Sequence, residues 1–188
     1  NEDVSLASGA LQYTVTDFVL PGRDGFDLTI ARRYDSSKAN EADIGLNGYN
    51  TDPRGNDHYH KTYGLGFGWE FVLPSIECVF ETNGPSTPFL HLEDGRSYQI
   101  EGFTGGSLSL KDHPLTDVRV GRWDDNLAFP GDREAIENKG SNVMVSYKNG
   151  NRDYFQAGSD STPPRWFSLV ARRDRFGNTI YFNMRQYG

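Results

Sequence analysis

The sequence predicts an all-β protein, mainly antiparallel sheet built from consecutive β-hairpins, with long irregular loops and at most a short helix. Three observations carry that prediction. Glycine and proline are frequent, 21 and 9 residues of 188, and they fall without a fixed period; frequent turns divide a chain into short strands rather than long helices. Short runs alternate apolar and polar side chains, the period of a half-buried strand. A pattern of strand, tight turn and strand returns three times, at 89–100, 143–155 and 169–182. The hydrophobic share of 36% is low for a globular chain, but 12 Phe, 10 Tyr and 3 Trp bury large areas each and predict an aromatic-rich core.

The elements follow in order. Loose alternation through Val4, Leu6, Leu11, Tyr13 and Val15, with Phe18 and Leu20 next, predicts one or two strands over 4–20. Pro21-Gly22 then sets a turn at 21–25. Phe26, Leu28 and Ile30 share one face of a strand over 26–34. Residues 35–63 hold Asn, Asp, Gly, Ser and Lys with almost no aliphatics, a polar excursion longer than compact domains ordinarily carry; a short helical turn is expected near 38–43. Gly64, Gly66 and Gly68 alternate with Leu65, Phe67 and Trp69, the mark of a bend or close backbone approach before strands at 69–73 and 75–82.

In the first hairpin Asp94-Gly95 separates two alternating runs, and in the second Asn149-Gly150 does the same. Both dipeptides suit a two-residue type I′ turn, whose central residues have positive φ. Gly177 marks the third turn, in a hairpin expected over 169–184. Between the second hairpin and the first, Asp132 is placed to cap a short helix that ends before Gly140. The whole chain, 1–188, reads as a single β-rich segment. Its expected core is Trp69, Phe71, Phe80, Leu92, Tyr98, Val145 and Phe167.

Charge and composition bound the function. A net charge of −7 and the lack of a basic stripe speak against nucleic acid as a partner. No apolar run approaches the length of a membrane span. The chain starts at Asn1 without a signal peptide and so reads as a mature or excised segment. Cys78 stands alone, which excludes an internal disulfide, and alternation puts it on one strand face with Ile76 and Phe80 as a small buried residue.

Candidate chemistry is sparse. His58 and His60 are spaced to face one side of an extended segment near Asp52 and Asp57, but the segment is polar and has no third ligand at a fixed spacing. Asp43, Asp52 and Asp57 do not follow the calcium-loop pattern. Asp124-Asp125 after Trp123 fits a turn as well as a sugar site. Gly64 to Gly68 lacks the helix and lysine of a phosphate loop. The reading is therefore no catalytic residue, no metal and no cofactor. The aromatics Trp123, Tyr59 and Trp166 are the candidates for ligand contact should the chain be a carbohydrate- or wall-binding module.

Leu20-Pro21-Gly22, then Leu28 to Ser36 with Arg33-Tyr34-Asp35-Ser36, then Gly64 to Trp69, occur in that order. Leu92-Glu93-Asp94-Gly95-Arg96-Ser97-Tyr98 and Asp174-Arg175-Phe176-Gly177-Asn178-Thr179-Ile180 follow. Together they resemble the N-terminal portion of an RHS/YD-repeat protein across most of residues 10–183. The resemblance implies a secreted or cell-surface chain, in bacteria of the polymorphic-toxin or wall-associated type. Its repeats would be hairpins wound into a shell around a C-terminal toxin domain. Residues 169–184 would be the first YD-type hairpin, and the partners would be downstream repeats, the toxin domain and a cell-wall or surface glycan. The stretches 35–63 and 111–140 exceed what that pattern needs. Asp52-Pro53-Arg54-Gly55 is similar to the element where such shells self-cleave, but it lies at the wrong end and Asn56 replaces an apolar residue.

Overall fold

The structure, a computed structural model, describes residues 2–4, 9–37, 39, 65, 68–79, 87–102, 107–122, 143–157 and 166–182. The protein is all-β. Its described residues form thirteen strands, paired antiparallel, and one 3₁₀ turn. Among them no helix is long and apolar enough to cross a membrane. Of the helical turn expected near 38–43 only Ala39 is described, its N–H donating to the Ser36 carbonyl at 3.3 Å; the helix expected at 132–139 lies outside the described residues. The chain divides into two compact units, Asn1–Leu73 with Phe80–Asn83, and Pro74–Val79 with Gly84–Gly188.

The first unit is a four-stranded sheet in the order β1 (Glu2–Val4), β2 (Leu11–Leu20), β3 (Leu28–Asp35) and β4 (Trp69–Phe71). Turn chemistry joins β2 to β3. A 3₁₀ turn, Arg23–Gly25, holds Asp24 and Gly25 at φ of 57° and 76°. The Asp27 carboxylate accepts the Gly22 N–H at 2.8 Å. A Cβ at Gly22 would lie 1.8 Å from the Phe26 carbonyl oxygen, so only glycine fits. Asp17 is the extra residue of a β-bulge between Thr16 and Phe18. Its carboxylate takes both arms of Arg32, at 2.8 and 2.6 Å, and Arg32 also lies 5.4 Å from the Trp69 ring centre. Trp69 stands opposite Tyr34, ring centres 5.4 Å apart, and Glu70 opposite Arg33. Trp69 and Phe71, expected in the core, are half-buried. They lie on a short edge strand, where one strand neighbour covers them.

The second unit holds β5 (Ser75–Val79), β6 (Thr87–His91), β7 (Ser97–Glu101), β8 (Ser109–Leu110), β9 (Val118–Arg122), β10 (Val143–Tyr147), β11 (Arg152–Ala157), β12 (Trp166–Arg173) and β13 (Thr179–Tyr181). The sheet runs β8-β7-β6-β5-β12-β11-β10-β9, with β13 also on β12. The ends of that path, β8 and β9, touch, so the sheet curls around one face. That inner face carries Ile76, Leu90, Ile100, Val143, Val145 and Phe155, all essentially inaccessible. Leu92 and Phe167 are buried with them, whereas Tyr98 is half-buried. Phe80 lies outside the described residues. Cys78 is buried beside Ile76, and burial raises its thiol to about 12.

The three turns share one geometry, and it is not type I′. In each, the glycine N–H donates to the carbonyl three residues back: Gly95 to Leu92, Gly150 to Tyr147, Gly177 to Asp174. The residue that opens the turn donates to the carbonyl four residues on: Leu92 to Arg96, Tyr147 to Asn151, Asp174 to Asn178. These are three-residue loops, a type I turn closed by a glycine at φ of 87°, 88° and 91°. Positive φ thus falls on the glycine alone, and Asp94 and Asn149 are spared it. Their side chains instead accept the N–H two residues on, from Arg96 and Asn151, which favours the tight turn.

Candidate functional site

A charged network lies where the three turns meet the inner face of the curled sheet. Along β10 and β11 the inward positions run Val143, Val145, Tyr147 and then Asp153, Phe155, so a carboxylate occupies a core position. Asp153 has 0% exposure. Its neighbour on β12 is Arg172, whose Nε donates to Oδ1 at 2.7 Å and Nη2 to Oδ2 at 3.0 Å. The Tyr147 hydroxyl donates to Oδ2 at 2.7 Å. Glu93, in the first turn, reaches the same Nη2 at 2.7 Å. One guanidinium thereby joins all three hairpins.

The chemistry of this network is anchoring. Burial, then the Asp153 charge, push the Tyr147 phenol well above its ordinary range, so it stays a donor. Burial works against the Arg172 charge, but Asp153 and Glu93 more than offset it and raise its pKa. The Asp153 carboxylate thereby accepts three hydrogen bonds, two from Arg172 and one from Tyr147. Desolvation of the two charges offsets much of their attraction, so the pair adds little net stability over an apolar core.

A second cluster closes the curl. Arg96 donates to Asp94 at 2.8 Å, to Asp117 at 2.9 Å and to the Tyr98 hydroxyl at 3.1 Å. His113 Nε2 lies 2.8 Å from the other Asp117 oxygen, and its ring packs 4.5 Å from that of Tyr98. The Asp117 carbonyl accepts the Lys148 N–H at 2.8 Å. Asp117 therefore ties the first hairpin, the approach to β9 and the second turn together.

A third group has the composition of a nucleophile–base–acid set. On the outward face of β5, β6 and β7, His91 Nδ1 lies 2.8 Å from Ser97 Oγ, and Nε2 lies 3.4 Å from Glu77 Oε2. Acyl transfer also needs N–H donors for the developing oxyanion. β6 is laddered to β5 on one side and to β7 on the other, which commits its backbone donors to the sheet. His91 is half-buried in this group, and its Nε2 is buried without a hydrogen-bond partner.

Of the residues singled out from sequence, Trp123, Tyr59, His58, His60, Asp43, Asp52, Asp57, Asp124 and Asp125 lie outside the described residues. Trp166 opens β12 opposite Glu77. Among the described residues no three His, Cys, Asp or Glu side chains cluster in a way that would hold a metal ion. Sequence reasoning missed Asp153, Arg172, Glu93 and Tyr147. The signal was present in Asp153, a carboxylate two residues before Phe155 on the core face of an alternating run.

Fold and network define an all-β protein in which one arginine joins three hairpins of a curled sheet. Residues 1–99 match the family described as Domain of unknown function (DUF6531), and the chain belongs to it. No curated protein matches the chain, and no solved structure does.

Proposed function

We propose that this chain is a non-catalytic structural lead-in segment of a large exported RHS/YD-repeat protein. It contributes to a β-shell that encloses a C-terminal toxin domain. One observation carries the reading: three hairpins use the same three-residue turn and lie in one curled sheet, joined at Arg172. A shell made of hairpin repeats requires such a unit, in which each hairpin buries its face against neighbours. The third hairpin, with Asp174, Gly177 and Asn178 in its turn, is the one that a repeat array would copy.

The test is protease protection of the C-terminal domain in the full-length polypeptide, with and without residues 1–188. The shell reading expects a protected domain that becomes cleavable when the segment is removed. Unchanged protection, together with specific retention of the chain on a wall-glycan array, would instead make it a carbohydrate- or wall-binding module.

A further inference from the structure

β12 carries a bulge whose position has a reason beyond local irregularity. Tyr154 stands opposite Ala171, but Phe155 stands opposite Leu169, so Val170 has no partner position on β11. Val170 and Ala171 both pack beside Tyr154 and Met144 on the outer face. On either side of the bulge the alternation is intact: Leu169 and Phe167 point into the core, and so does Arg172.

Removing the bulge by a one-residue slip of the turn end would set Tyr154 against Val170 and Asp153 against Ala171. A one-residue slip exchanges the two faces of a strand. Ala171 would then face inward, Arg172 would face outward, and the Asp153 carboxylate would stay in the core with Tyr147 alone. Slipping the other half instead would turn Leu169 and Phe167 out of the core. One extra residue between Leu169 and Arg172 is what keeps the apolar pair and the arginine on the inner face together. We infer that the Asp153–Arg172 pair selects the bulged register of β12 over an unbulged alternative one residue away, and so fixes which face of the third hairpin continues the inner surface. Ile180 stands opposite Arg172 in β13 and shares its face. In the slipped register the third hairpin turns over with its strand. This inference does not depend on the RHS reading.

The experiment is the Asp153→Thr variant of the whole chain, its register read from cross-strand nuclear Overhauser contacts. Without the carboxylate, Arg172 keeps only the half-exposed Glu93 as a charge partner at that position. The expected result is loss of the contacts 153–172 and 154–171 and gain of 153–171 and 154–170, with 155–169 kept. A folded Asp153→Thr variant that retains 153–172 would overturn the inference. Deletion of Val170 supplies the second arm, because it removes the bulge while leaving 155–169, 154–171 and 153–172 in one regular ladder. The deletion chain is expected to fold with all three contacts, and to keep them when Asp153→Thr is added. If deleting Val170 abolishes folding, Val170 is needed for its own packing against Tyr154, and the inference fails.

Discussion

Arg172 meets Asp153 through both arms of its guanidinium, at 2.7 and 3.0 Å, while the same Nη2 meets Glu93 at 2.7 Å. The pair lies across β11 and β12, where the inner face of the curled sheet reaches its turns. Breaking a buried pair from one side leaves an uncompensated charge. Arg172→Met should therefore lower unfolding free energy by about 3–5 kcal/mol, read from urea denaturation. Arg172→Lys should recover part of this loss, since lysine restores charge but not the two-armed fork.

Gly150 should tolerate no side chain. Its φ is 88°, and a Cβ there would lie 2.8 Å from Cβ of Arg175 in the neighbouring turn. The left-handed backbone alone costs an L-residue about 1–2 kcal/mol. Gly150→Ala should exceed that in denaturant titration, and Gly150→Val should exceed Gly150→Ala.

Acid should weaken the fold through Asp117 and Asp17. A hydrogen bond from Arg96 holds the Asp117 carboxyl below its ordinary range, against burial and with help from His113. Arg32 does the same for Asp17. A depressed folded-state pKa means stability that is fully present above the unfolded value of about 4, and lost as pH falls through the folded value. Thermal midpoints should hold from pH 7 to 5 and drop below pH 4. Asp117→Asn should start lower at pH 7 and lose less on acidification. Added salt should shrink the difference, because these pairs are exposed.

Cys78 should report global unfolding. It is buried, and its thiol is raised to about 12, so thiolate is scarce at neutral pH. Labelling by a thiol-directed reagent should be slow in the native chain, and it should follow the unfolding curve measured by circular dichroism.

Much of this fold was legible because alternation and turn residues are local signals. Leu28 and Ile30, Leu90 and Leu92, and Val143 and Val145 each announce a strand and its buried or half-buried face. Gly95, Gly150 and Gly177 announce their positive φ. The turn type was not legible, because Asp-Gly and Asn-Gly serve a type I′ turn as readily as a type I turn followed by glycine. That choice depends on which carbonyl the glycine N–H finds. β9 was missed because Val118 and Val120 are too short a run to stand out before Gly121. Trp69 read as core from its place after the glycine run at the start of a strand, yet burial depends on how many neighbours a strand has, and an edge strand such as β4 has few. The network itself joins residues 93, 147, 153 and 172, which only the sheet order brings together.

We propose that these hairpins begin a larger hairpin shell. A cryo-electron microscopy map of the full-length polypeptide tests it most directly. Further hairpins with the same three-residue, glycine-closed turn are expected to continue the curled sheet from the third hairpin and to enclose a C-terminal domain. A map in which this chain stands apart on a linker, its sheet not extended by any following hairpin, would contradict it.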